Sequence, residues 1–183
     1  MGRLTKTTVA TASALCAPRR LEDLFNYRLF QLQALASAPV RRLLEGRFGI
    51  TRREWRVLAL LATHGALSPS ELALRAHLDR PRTSRALQAL VRKSLAQRAP
   101  LAADARRATA SLTERGMALY EEVFPAIAQI NARLVAVLDP TSLNALDQML
   151  ERLTEHARRL DAELARDVRA DRRHGGSRRM LPR

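Results

Sequence analysis

Between Ser68 and Lys93 the sequence SPSELALRAHLDRPRTSRALQALVRK leaves the backbone little choice. Ser68 is a helix N-cap, Pro69 suits the first helical position, and Glu71 reaches back to close a capping box. About three residues around Asp79 separate that helix from a second one. The second helix carries Arg80, Arg82, Thr83, Ser84 and Arg85 in its first turns and an apolar stripe at Leu87, Leu90 and Val91. Two short helices joined so tightly read as a helix-turn-helix.

The composition agrees with a helical chain that meets a polyanion. At 183 residues there is material for one domain with a real core, plus tails. Hydrophobic residues make up 46% and aromatic residues only 4%, which suits packing by Leu, Ala and Val. The formal net charge is +14, and nearly all the positive charge is arginine, since the lysines are Lys6 and Lys93 alone. Arginine-rich coding accounts for part of that excess; the remainder favours nucleic acid or an anionic membrane surface as partner. Cys16 is the single cysteine, so a disulfide-stapled secreted domain is excluded. The opening MGRLTKTTVATASALCAPRR is too interrupted for a signal peptide, and Leu15 directly before Cys16 does not suit a lipoprotein. Residues 1–18 therefore read as a disordered basic tail. No apolar run reaches the ~20 residues that span a bilayer, so a cytoplasmic protein is expected, with no membrane partner.

From Arg19 to about Arg47, Leu21, Leu24, Phe25, Arg28, Leu29 and Leu32 recur at helical spacing, and Pro39 is expected to kink or divide that helix. FGIT supplies a turn at Gly49 and an N-cap at Thr51, with Glu54 completing a capping box for RREWRVLALLATH, which stops at Gly65. After Lys93, LAQRAP and ATASLT read as extended segments joined by LAADARR, a hairpin with a basic tip. Thr113 caps a helix running to about Leu138, which Pro125 should bend. Asp139-Pro140 opens a last helix in which Leu143, Leu146, Leu150, Leu153, Ala157 and Leu160 alternate by three and four, a pattern for pairing with another helix. Residues 166–183 hold seven arginines against Asp167 and Asp171 and read as a disordered Arg-rich tail. The expected fold is mainly α with a small β-hairpin wing.

This order of elements resembles the MarR family of winged-helix transcriptional regulators over about Leu21 to Leu160. The most specific stretch is DARRATASLT, which is similar to the family pattern D-x-R-x-x-x-L-x-L-T through Asp104, Arg106, Leu112 and Thr113. It departs at Ala110, where leucine is usual, and Lys93-Ser94 occupies the place of the family's Lys-Gly. FGITRREWRVLALLA and LTERGMAL also look like family segments. The resemblance implies a winged helix-turn-helix domain over 19–165, with a DNA-binding lobe at about 51–113 and long dimerisation helices at about 19–47 and 114–165.

On that resemblance Arg80, Arg82, Thr83, Ser84 and Arg85 would meet double-stranded DNA from a recognition helix in the major groove. Arg106 of the wing would enter the minor groove, with Arg107 facing phosphate or exchanging roles with it, and Asp104 would orient a wing arginine. A homodimer would hold two recognition helices about one DNA turn (~34 Å) apart on a pseudo-palindromic operator. The expected function is a dimeric repressor, released by a small aromatic or phenolic acid held near Asn26, Tyr27, Phe30, Trp55 and His64. Trp55 and Phe30 read more readily as core residues than as ligand contacts, and His64 as a cap on the end of its helix. Arg28 or Arg56 is a candidate to pair with an acid. In the peroxide-sensing branch of the family the reactive cysteine would fall at Asn26, so an oxidant sensor would have to use Cys16 instead.

His64, His77, His156 and His174 lack metal-ligand spacing, the glycines form no phosphate loop, and no nucleophile or carboxylate pair stands in a catalytic pattern. No enzyme, metal or cofactor is expected. The readings left open beside a specific regulator are an architectural protein that binds any DNA through charge, and an oxidant-responsive regulator using Cys16.

Overall fold

A computed structural model describes residues 13–101 and 104–167, with the backbone alone for residues 100, 101, 104–108 and 167. The readings of 1–12 and 168–183 as tails lie outside the described residues. The chain divides at Pro39 into two compact units.

A 3-10 turn at Leu21–Asp23 precedes α1 (Phe25–Arg47), whose residues up to Pro39 belong to the first unit and the rest to the second. Asp23 organises this start. Its carboxylate accepts the Arg19 amide at 3.1 Å and the Arg20 Nε at 3.4 Å, and those bonds hold its pKa below the ordinary value. The Arg28 Nε donates to the Glu22 carbonyl at 2.9 Å. The helix therefore begins at Phe25 rather than near Arg19, because the backbone before it is tied up around Asp23. Helix α1 also runs unbroken through Pro39, which the sequence reading gave as a kink or a division. A proline removes one amide donor, and the rest of a 23-residue ladder remains.

The second unit contains the core. Helix α2 (Arg52–His64) starts at the Thr51 capping box and ends at Gly65, whose φ of 72° is costly for any residue with a Cβ. Helix α3 (Pro69–Arg75) starts at the Ser68 box, and α4 (Arg80–Arg92) at Asp79, whose carboxylate accepts the Arg82 amide. Strands β1 (Ala96–Leu101) and β2 (Asp104–Leu112) pair antiparallel, Ala96 opposite Leu112 and Ala99 opposite Thr109, with a register shift between Pro100 and Leu101. Asp104, Arg106 and Arg107, expected in the connecting loop, belong to β2; residues 102–103 lie outside the described residues. Leu67 adds a bridge to Ala110 that its sequence gave no reason to expect.

Leu44, Ile50, Val57, Leu58, Leu61, Leu72, Leu87, Leu90, Leu95 and Val123 form one buried cluster linking α2, α4, the hairpin and α5 (Glu114–Val135). Val91, expected on that inner face, is instead exposed. Helix α5 ends at Val135, close to the expected Leu138, and Pro125 lies inside it without ending it. Helix α6 (Pro140–Asp167) follows Asp139, which accepts the Thr141 and Ser142 amides at 2.9 and 3.0 Å. None of its described residues is buried, and Leu146, Leu150, Leu153, Leu160 and Leu164 form an exposed apolar stripe.

Candidate nucleic-acid interface

Helix α4 divides its residues cleanly. Thr83, Ala86, Leu87 and Leu90 turn into the core, whereas Arg80, Arg82, Arg85, Gln88 and Arg92 are exposed and Ser84 is half-buried. The basic face is thus a consequence of helical period: spacings of three and four bury one set and leave the arginines on the other. Thr83 requires a correction to the expected DNA-contacting set. It is 1% exposed, and its Oγ1 donates to the Asp79 carbonyl at 2.9 Å, so it packs the turn instead of reaching outward.

Two of the arginines are tethered. The Arg82 Nε pairs with Asp79 Oδ2 at 3.2 Å, and the Arg85 Nε donates to the Pro81 carbonyl at 3.3 Å. Arg82 and Arg85, with Ala86 and Ala89, also line a cleft of about 420 Å³ closed on its other side by Thr51, Arg53 and Glu54. Arg53 is exposed here and was not singled out by the sequence, although it stands in the quoted FGITRREW.

Glu54 has a second role that its sequence neighbours conceal. Its buried carboxylate caps α2 by accepting the Thr51 amide, and it also takes the Lys93 ammonium at 2.9 and 3.1 Å. Lys93 donates to the Gly49 carbonyl as well, at 2.7 Å. The end of α4 is thereby fastened to the start of α2. Arg56, offered as a partner for an acid, donates instead to the Ala76 carbonyl at the end of α3, at 2.9 Å. Burial, with Arg52 and Arg53 nearby, lowers its pKa.

The wing residues Asp104, Arg106 and Arg107 lie on β2, and their side chains are outside the described set. Arg98 on β1 is exposed. Of the candidate ligand residues, Asn26, Tyr27 and Phe30 belong to the first unit. Tyr27 and Phe30 stack at 6.3 Å, Phe30 is 63% exposed rather than core, and Asn26 and Phe30 border an open hollow with Leu29, Leu32 and Gln33. Trp55 and His64 belong to the second unit. Trp55 is half-buried and stacks on Tyr120 at 5.7 Å, and His64 is exposed at the end of α2. Cys16 is exposed. Among the described residues no group of His, Cys, Asp or Glu could hold a metal ion, and no helix is long and apolar enough to cross a membrane.

Comparison with known proteins agrees with this geometry. The family model described as MarR family matches residues 48–107, from the entry to α2 through the wing arginines. The homoprotocatechuate degradative operon repressor of Escherichia coli is 27% identical over 131 residues, covering 72% of this chain and 88% of the relative. A MarR family transcriptional regulator from Silicibacter pomeroyi superposes with a TM-score of 0.66 at 27% identity, over 75% of this chain and 91% of the other. NadR in complex with 4-hydroxyphenylacetate gives a TM-score of 0.63 at 28% identity, over 74% and 95%. Residues 48–107 thus carry the MarR family model, and over about three quarters of its length the chain is similar in sequence and fold to MarR family winged-helix transcriptional regulators.

Proposed function

We propose that this regulator is a sequence-specific repressor in the cytoplasm that binds a pseudo-palindromic operator as a homodimer and is released by a small aromatic or phenolic acid. The observation that carries the reading is the α4 face, where Arg80, Arg82, Ser84 and Arg85 stand together at the helix start over a buried Leu87–Leu90 side. An exposed arginine at that position has the reach and fork geometry to hold guanine O6 and N7 in the major groove. Arg106 and Arg107 on the wing strand supply the groove and phosphate contacts beside it. The exposed leucine stripe of α6 is the surface for the second copy. An aromatic acid is supported by two likenesses: a relative named for homoprotocatechuate degradation, and a neighbour solved with 4-hydroxyphenylacetate. For this chain Asn26, Tyr27, Phe30, Trp55 and His64 remain the residues proposed to receive it.

A titration of the protein against its own upstream DNA and a scrambled duplex, at two salt concentrations, tests the reading. Preference for the upstream DNA by about several hundredfold is expected, with binding relieved by 4-hydroxyphenylacetate. The alternative of an architectural protein predicts equal binding to both duplexes, lost together as salt rises.

A further inference from the structure

Helices α2 and α4 enclose a cleft with arginine on both walls. Arg82, Ala86 and Ala89, spaced by four and three, share one flank of α4 with Arg85 beside them, and Thr51, Arg53 and Glu54 stand opposite at the start of α2. The space is about 420 Å³, and the two alanines leave it open where longer side chains would fill it. Glu54 is the carboxylate among the lining residues, and the Lys93 ammonium at 2.9 and 3.1 Å matches its charge. Arg82 is partly offset by Asp79 at 3.2 Å. Arg53 differs: it is exposed, and its side chain makes no hydrogen bond or ion pair among the described residues. Its charge is felt nearby, since the pKa of Arg56 is lowered by burial and then by Arg52 and Arg53. Thr51 Oγ1 accepts the Glu54 amide at 3.2 Å, which leaves that hydroxyl its hydrogen to donate.

Cations and donors around an opening are the complement of a negative group rich in acceptor oxygens. The positive end of α2 adds to that field. We propose that the cleft is a phosphate seat anchored by Arg53: one backbone phosphate of each half-site sits between α2 and α4 while the outer face of α4 occupies the major groove. The inference rests on the reading of α4 as the helix that enters DNA. A helix about 10–12 Å across nearly fills a major groove about 12 Å wide, so the strands bordering the groove pass along its flanks. A cleft on that flank, walled by a second helix, meets backbone, and the base edges lie under the outermost residues of α4. Such a contact carries no sequence information. It sets the depth and register at which the neighbouring arginines of α4 meet the bases.

The test uses the duplex that the wild-type protein enriches from a randomised library, beside a scrambled duplex of the same length. Arg53→Ala should weaken both by the same factor, about tenfold, with the slope of log K against log salt shallower by about 0.9 for each chain bound. Arg53→Lys should keep the slope and recover part of the affinity, because the charge stays and the fork is lost. Ala89→Leu fills the cleft without changing charge and should weaken both duplexes alike, with its urea midpoint checking the fold. Neutral methylphosphonates are then placed one at a time along the enriched duplex. One position in each half-site should cost the wild type about as much as Arg53→Ala does, and cost the Arg53→Ala variant nothing further. A loss confined to the enriched duplex would make Arg53 a base contact and overturn the seat. So would an unchanged salt slope, full affinity in Ala89→Leu, or the lack of any such phosphate. If Arg53→Ala changes nothing while Arg85→Ala weakens binding, the seat is overturned and α4 keeps its place on DNA. If Arg85→Ala also leaves every duplex bound as before, the reading of α4 fails and the inference with it.

Discussion

Ser94 and His77 both hold left-handed backbone, with φ of 58° and 49°, at the two places where α4 is joined to its neighbours. Such a conformation costs a residue with a Cβ about 1–2 kcal/mol, and glycine escapes it at the expense of a floppier unfolded chain. Ser94 is the position where the sequence departs from the family's Lys-Gly, and its φ shows why glycine suits the turn into the wing. Ser94→Gly should therefore stabilise the protein by about 0.5–1 kcal/mol, visible as a higher midpoint in urea. Gly116 is the opposite case. A Cβ there would collide with the Leu95 carbonyl, a backbone atom with no room to retreat, so Gly116→Ala should lower stability by about 2 kcal/mol or more. The glycine was legible in LTERGMAL only as part of a family segment; the reason for it is a contact between residues far apart in sequence. Thr83 was misread for a related cause. A hydroxyl among arginines looks like a DNA contact until the helix phase is known, and the phase puts it inside.

At the scale of elements, the sequence was most informative where the signal is local. The Thr51, Ser68, Thr113 and Asp139 caps all lie where their patterns placed them, because a cap is decided within four residues, and Asp79, read only as part of the connecting turn, proves to cap α4 as well. The hairpin was legible as an existence but not in extent: β2 takes in Asp104 to Arg107, and the extra Leu67 bridge joins it from outside the hairpin. Long-range ties were invisible. Glu54 read as a cap alone, and Lys93 as the end of a recognition helix, though the two are in contact. That pair fastens α4 to α2, and the Glu54 carboxylate is buried, so removing its partner leaves a poorly compensated charge. Lys93→Met should cost about 1–3 kcal/mol in thermal or urea unfolding. Lys93→Met combined with Glu54→Gln should cost less than the sum of the two alone. Additive losses would show that the contact carries no coupling.

At the scale of the whole molecule, the architecture followed from the sequence because two periodicities and a tight turn leave few arrangements. The ligand site did not. Its five candidate residues are divided between two units, and each has a local partner or exposure of its own: Tyr27 on Phe30, Trp55 on Tyr120, His64 in the open. Which of them would meet the proposed effector depends on the proposed pairing of two chains, for which the exposed α6 stripe is the candidate surface. The net charge of +14 adds sequence-independent attraction to any DNA, so affinity alone does not distinguish a regulator from an architectural protein. Selectivity and symmetry do. The most direct measurement is selection from a randomised duplex library, followed by the stoichiometry of the protein on the winning sequence. The account predicts an enriched pseudo-palindrome with half-sites about 10 bp apart, bound by two chains. A library that emerges unenriched, or a single chain bound to an asymmetric site, would contradict it.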